Sequence, residues 1–317
     1  MAEIRGFETL FRLDGKIAVV TGVLLAADTP PPKHTGSRGI GLYCATAFLL
    51  AGCAKVIITA RDAKNLDAAV QKLNALPGIK GVAVSIPANV GHTDQIERFV
   101  KDVEAEIERD AAGPGRKGCR GLDILVANAA ASWGGPFEEF EDWKSVKTLD
   151  LNVRGVFNLC RLMVPLLSRA ATPADPSRIL ITSSVGGIIV PHVGARGAIM
   201  YSVSKAAAHH LGRNLALELA PKNITTNIVA PGFFPSRLAS PQIDYLGGVD
   251  VVGKQNPLGR LGLPEDIVGV VLYLCSRAGS YVNGEDISID GGARLRVGTH
   301  PGSLDDRGKA AGRDNKL

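Results

Sequence analysis

The sequence predicts an α/β fold: a Rossmann-type, doubly wound parallel sheet of seven strands with helices on both faces, in a single domain. Two observations carry that expectation. Short apolar or β-branched runs alternate along the 317 residues with longer amphipathic stretches, the order that builds βαβ units. The composition, 45% apolar and 21% charged, is that of a globular chain able to bury a sizeable core.

The first strand is expected at 17–21 (IAVVT), followed by a helix over 38–51 and a second strand at 55–60 (KVIITA). A helix over 63–76, a strand at 82–86 and a helix over 93–109 continue the alternation. The fourth strand, 124–127 (ILVA), leads to a helix over 153–169, a strand at 178–182 and a helix over 201–219. A strand at 226–229, a helix over 264–275 and a strand at 287–289 close the sheet. Pro264-Glu265-Asp266 is a favourable helix start, with Pro in the first turn and acids at the positive dipole end. One catalytic domain is therefore expected over 10–293. Residues 23–35 (VLLAADTPPPKHT) lengthen a strand-to-helix turn that is normally a few residues long. A Gly/Arg-rich loop at 112–121 precedes the fourth strand, and 294–317 reads as a polar, disordered tail.

Composition also excludes classes of function. The uncharged stretch 40–54 is broken by glycines and ends at Lys55, so no membrane span is expected. The amino terminus lacks the apolar region of a signal peptide. Cys44, Cys53, Cys119, Cys160 and Cys275 are odd in number, widely spaced and form no CxxC, which predicts free thiols, no structural metal and an intracellular setting. The formal charge of +5 is unevenly placed: 294–317 holds six Lys/Arg against three Asp, and 113–121 adds Arg116, Lys117 and Arg120. Basic charge confined to a tail and a loop does not make a phosphate groove, so no nucleic-acid partner is expected.

Thr21-Gly22 ends the first strand, and Gly36-Ser37-Arg38-Gly39-Ile40-Gly41 opens the first helix. Setting aside the 13 residues between them joins these pieces into Thr-Gly-Gly-Ser-Arg-Gly-Ile-Gly. Glycines at such a turn let backbone N–H groups approach a pyrophosphate, and the helix N-terminus adds positive potential. The second strand ends in Ala60-Arg61 with no acid to hold a ribose 2′-hydroxyl. Arg61 beside Arg38 fits a 2′-phosphate and favours NADP(H) over NAD(H), the alternative being that Asp62 serves as the acid. Tyr201 and Lys205 are spaced i, i+4 and share a helix face, where an ammonium near a phenol lowers the phenol's pKa for proton exchange with a carbonyl oxygen.

With these features stand Asn128-Ala129-Ala130 after the fourth strand, Asn152 in LDLNVRG, Ser183-Ser184, and Pro231-Gly232 after the sixth strand. In this set and order the chain resembles the short-chain dehydrogenase/reductase superfamily from about residue 13 to 293. APGFFPSRL, NPLGRLGLPEDI and DISIDGG make it most similar to 3-oxoacyl-(acyl carrier protein) reductase-like ketoreductases. The resemblance implies an NADP(H)-dependent interconversion of ketone and secondary alcohol. It implies Tyr201 as general acid/base, Lys205 as the group that tunes it and holds the nicotinamide ribose, Ser184 (or Ser183) on the substrate carbonyl, and Asn152 as the helix-kinking support of a proton relay. Gly22, Ser37, Arg38 and Ile40 match the phosphate loop, Asn128 the motif after the fourth strand, and Pro231 and Gly232 the turn beside the nicotinamide. Asn89 stands where the family commonly has Asp facing the adenine, and an amide can still accept that hydrogen bond.

Ser184 lies 17 residues before Tyr201, more than the family's usual spacing, so an enlarged loop is expected at 192–198. Phe233, Phe234, Leu238, Tyr245 and Leu246 are expected to roof an apolar pocket, with Trp133 and His192 at its mouth; packing in a lid or a subunit interface is the alternative reading. Two other functions remain open from sequence: an NAD-dependent alcohol, polyol or steroid dehydrogenase, or a non-catalytic Rossmann protein if 23–35 blocks the cofactor. The resemblance further implies a small carbonyl or alcohol substrate and a homotetramer or homodimer. A cytoplasmic location is expected, although the closing Asn315-Lys316-Leu317 is a distant relative of the peroxisomal Ser-Lys-Leu address.

Overall fold

The computed structural model describes residues 6–23, 39–111, 121–190 and 193–296. Ser37, Arg38, His192, nearly all of 23–35, most of 112–121 and the closing Asn-Lys-Leu lie outside the described residues.

The first βαβ unit runs β1 (Ile17–Thr21), α1 (Ile40–Leu50), β2 (Lys55–Thr59), and continues through α2 (Ala63–Asn74), β3 (Val82–Ser85) and α3 (Thr93–Ala111). β4 (Ile124–Ala127) is followed by α4 (Asp142–Leu149), a π-helical turn (Asp150–Gly155) and α5 (Val156–Ala170). Then come β5 (Ser177–Thr182), α6 (Ile199–Leu219), β6 (Ile224–Pro231), α7 (Ser240–Tyr245), α8 (Val249–Gln255), α9 (Pro264–Cys275) and β7 (Asp286–Ile289). The seven strands form one sheet in the order β3-β2-β1-β4-β5-β6-β7, with every pairing parallel. The order reverses between β1 and β4, and in a doubly wound sheet a ligand crevice opens at the carboxyl ends of such a pair.

Alternation along the strands builds two cores. Ala18, Val20, Val56, Ile58, Ile124 and Val126 face one side, whereas Ile17, Val19, Ile57, Leu125 and Ala127 face the other, as successive side chains in a strand must. Strands covered on both faces read as continuous apolar runs, and β1, β2 and β4 are buried along their whole length. Helix α1 is apolar nearly all round because it is covered on one side by the sheet and on the other by α9. Helix α9 begins at the expected Pro264, and the Asp266 carboxylate accepts the Leu263 N–H (2.8 Å) at its N-terminus.

The departures from expectation are local. β6 is longer at both ends than 226–229 because Ile224 and Thr225 pair with β5 and Ala230 and Pro231 with β7. Asn227 donates to Val282 O (2.8 Å) and accepts from Glu285 N (3.0 Å). The expected helix over 153–169 is the second part of a longer helical stretch that starts at Asp142 and loosens into a π turn at Asp150–Gly155. Helices α7 and α8, six and seven residues long, are too short to leave a periodic signal. Ala293–Arg296 forms a short 3₁₀ turn, which carries the ordered chain past residue 293. No helix among the described residues is long and apolar enough to cross a membrane.

Candidate active site

The carboxyl ends of β1, β4, β5 and β6 open into a cleft of about 1060 Å³. Its floor begins at the glycine turn. Gly22 has φ +71°, and a Cβ there would stand 2.7 Å from Ala129 Cα; only glycine combines that conformation with that approach. Asn128 fixes the turn from the neighbouring strand. Its Nδ2 donates to Thr21 O (3.0 Å), and the Asn128 and Ala129 N–H groups both donate to Thr21 Oγ1 (3.0 Å). Gly41 in the first turn of α1 leaves room for the Asn128 amide, since a Cβ there would lie 2.8 Å from Nδ2. The α1 N-terminus has no side-chain cap among the described residues, and Gly39 and Ile40 line the cleft, so the N–H groups of the first turn sit in its wall.

At the end of β2, Arg61 and Asp62 both reach the cleft, but Asp62 is engaged elsewhere. Its two carboxylate oxygens accept Asn65 N (3.2 Å) and Nδ2 (2.5 Å), capping α2, and these bonds hold its carboxyl below the usual range. Asn89 also lines the cleft, with its Oδ1 accepting Gly91 N (3.1 Å) in a tight local turn. On the far side, Pro231 closes β6 and Gly232 N donates to Ile289 O (2.9 Å), placing both against the cleft beside β7.

Tyr201 and Lys205 enter from the first turns of α6, and Ser183 and Ser184 from the end of β5. The two serines are not equivalent. Ser183 is buried and its Oγ donates to Lys205 O (2.9 Å), whereas Ser184 lines the cleft beside Tyr201 and its Oγ accepts Gly186 N at 3.1 Å. Lys205, 3% exposed, donates from Nζ to Thr182 O (2.7 Å). Asn152 lies one layer behind in the π turn: its amide spans Ala131 N and O (2.8 Å each) and donates to Ser204 Oγ (2.9 Å). A π turn widens the backbone spacing by one residue, which is how this side chain turns inward to tie the segment after β4 to α6.

A family model described as enoyl-(acyl carrier protein) reductase matches residues 35–294. The rhamnolipid-biosynthesis 3-oxoacyl-[acyl-carrier-protein] reductase of Pseudomonas aeruginosa is 37% identical over 90% of this chain and 98% of its own. The chain belongs to the short-chain dehydrogenase/reductase superfamily. Among solved structures, a Pseudomonas aeruginosa RhlG/NADP active-site complex superposes with a TM-score of 0.75 at 34% identity, covering 90% of this chain and 99% of that one. A gluconate 5-dehydrogenase from Burkholderia cenocepacia in complex with NADP and tartrate gives 0.72 at 26%, covering 90% and 98%. The family-model match begins at residue 35, at the end of the 23–35 stretch.

The electrostatics of this superfamily site differ in one respect from the expectation that Lys205 lowers the Tyr201 pKa. Burial pushes the Tyr201 phenol up, with a Ser184 hydrogen bond pulling the other way. The same burial pulls Lys205 down to about 8. Lys205 Nζ lies 5.7 Å from the Tyr201 ring centroid and spends its short hydrogen bond on a backbone carbonyl, so desolvation outweighs the charge. Cys44, Cys53, Cys160 and Cys275 are buried and free, and burial raises each thiol. No cluster of three potential metal ligands occurs among the described residues.

The expected substrate wall is brought together in part. Phe233, Phe234, Leu238 and Leu246 line the cleft, but Tyr245 does not; it is exposed, beneath the Arg196 guanidinium 5.4 Å from its ring centroid. Trp133 also stands off the cleft, edge-on to Trp143 at 5.7 Å. The structure adds Gln242, Val252 and Leu261 to the wall. These sit in or beside the short α7 and α8, where sequence periodicity carries no information.

Proposed function

We propose that this chain is an NADP(H)-dependent ketoreductase that converts a ketone of the 3-oxoacyl type to its secondary alcohol. The observation that carries the reading is the convergence, in one cleft, of the glycine turn, Arg61, Ser184, Tyr201 and Lys205. The residues present fit the cofactor. The first turn of α1 next to Gly22 suits a pyrophosphate, and Arg61 faces the cleft while Asp62 is spent on a helix cap, which suits a 2′-phosphate. Asn89, Asn128, Pro231 and Gly232 complete the cradle, and Ser37 and Arg38 belong to it by resemblance. Bound there, the nicotinamide supplies the hydride that adds to the carbonyl carbon. Ser184 donates to the carbonyl oxygen, and Tyr201, whose raised pKa keeps it protonated at neutral pH, delivers the proton that turns the developing alkoxide into the hydroxyl. Lys205 is a cation below about pH 8 and offers positive charge beside that proton donor, while Asn152 holds the backbone around them.

The names of the relatives support the reading, the first being a 3-oxoacyl reductase and two of the superposed structures holding NADP. A homodimer or homotetramer in the cytoplasm is part of the same proposal. Apolar side chains left exposed on α5 and α6, Phe157, Val203 and Leu217, support subunit contacts, and the solution mass tests them. Purified protein is expected to oxidise NADPH with ethyl acetoacetate as probe. Tyr201→Phe should abolish turnover while keeping the NADPH-induced rise in melting temperature; a variant that still turns over refutes the assignment.

A further inference from the structure

His209 is buried at 3% exposure on α6, one helical turn beyond Lys205 and two beyond Tyr201, with Arg213 a turn further on the same face. Its two ring nitrogens both meet oxygen. Nδ1 lies 2.8 Å from Asp286 Oδ1 at the start of β7, and Nε2 lies 3.2 Å from the backbone carbonyl of Ser184. Arg213 pairs with the other carboxylate oxygen of Asp286, so both oxygens accept hydrogen bonds. The Ser184 carbonyl, which also accepts Gly187 N (2.9 Å), can only accept. One ring thus bridges the Asp286 carboxylate and the Ser184 carbonyl.

We propose that His209 is a positioning residue for Ser184: its two ring nitrogens bridge Asp286 and the Ser184 carbonyl, tying the segment that carries the substrate-binding hydroxyl to β7. The inference rests on the reading of Ser184 as the group that binds the substrate carbonyl. Ser184 holds an extended backbone (φ −165°, ψ 153°) at the start of the Val185–Gly187 turn. With Gly187 N and His209 on its carbonyl and Gly186 N on its Oγ, little rotation remains, and the hydroxyl is presented to the cleft beside Tyr201.

The test uses the full-length protein, NADPH and ethyl acetoacetate. His209→Leu is expected to lower kcat about tenfold, a fraction of the roughly 10²–10³-fold lost when one oxyanion-type donor is removed. His209→Gln, which keeps one donor, should lose less, and both should keep the NADPH-induced melting shift of the parent. On the residual turnover of Ser184→Ala, His209→Leu should cost nothing further; an equal loss in both backgrounds would mark a merely structural role and overturn the proposal. If His209→Leu does not fold, Asp286→Asn reads the same link: a smaller drop in kcat with unchanged NADPH binding supports it, and parental kcat refutes it. Ser184→Ala alone separates the two levels. Full turnover there removes the functional reading itself, whereas its loss together with a parent-like His209→Leu removes only the role of His209.

Discussion

Lys205, the cation of the proposed site, is buried at a cost to the fold, and replacing it should separate stability from activity. Its value in the folded chain, about 8, lies below the 10.5 it keeps when exposed, and burial is the whole cause. The difference corresponds to about 3 kcal/mol of unfavourable burial of the ammonium. The sign follows from proton binding: between pH 8 and 10.5 the unfolded chain carries more protons on this lysine than the folded one, so stability rises with pH across that window. Below pH 8 the full penalty applies.

Lys205→Met removes the penalty but strips Thr182 O of its 2.7 Å partner, and an orphaned buried carbonyl costs roughly 1–3 kcal/mol. At pH 7 the variant should therefore match or exceed the parent by up to about 2 kcal/mol, while turnover is lost. As pH rises to 10.5 the parent gains about 3 kcal/mol that the variant cannot gain, and the order of stabilities inverts. Denaturant midpoints of both proteins without cofactor, followed from pH 7 to 10.5, measure this. A stability difference that stays constant with pH would show that Lys205 is not a desolvated cation and refute the reasoning.

The same lysine sets the pH dependence of reduction: kcat/KM with NADPH is expected to fall as pH rises through about 8, because the charge disappears while Tyr201 remains protonated; a rate still climbing at pH 9 counts against it. Arg61→Ala should weaken NADPH by about tenfold or more through loss of a guanidinium–phosphate contact and leave NADH unchanged, as paired KM values would show; equal effects on both cofactors would remove Arg61 from 2′-phosphate recognition. Gly22→Ala puts a Cβ at φ +71° and 2.7 Å from Ala129 Cα, so it should cost more than the roughly 1–2 kcal/mol of the left-handed conformation alone and erase the NADPH melting shift. An unchanged melting temperature would contradict the tight approach.

The parts of the molecule that were legible in the sequence are those where a residue type is required by chemistry at a fixed spacing. β1 and β4 are continuous apolar runs because both faces are covered, and α9 announces itself by Pro264 and Asp266. Tyr201 and Lys205 share a face because of the helical period. The resemblance put Ser184 ahead of Ser183 without a physical reason, which a tertiary bond supplies: Ser183 Oγ is committed to Lys205 O. Sequence alone set β6 at 226–229, short at both ends, because Thr225 and Pro231 look like loop residues until their pairings with β5 and β7 are seen. His209 was passed over for the same reason, its meaning residing in partners 25 and 77 positions away.

This division of legibility follows the division of labour in the site. The groups proposed for acid/base work and carbonyl binding ride on β5 and α6, whose inner residues Ile179, Ile181, Ala208 and Leu215 belong to a large core, so their geometry is over-determined by packing. The wall facing them rests on a separate small cluster in which Ile243, Val252 and Leu261 are the buried members. Few buried contacts mean low local stability, and short helices bounded by Pro241, Gly247 and Gly248 can be rebuilt without disturbing the sheet. Exchanging the 239–262 segment for that of a relative with a different substrate should therefore change which ketone is reduced before it changes whether hydride and proton are transferred. The chemistry is written in side chains that the fold cannot move, and the selectivity in a segment that it holds loosely.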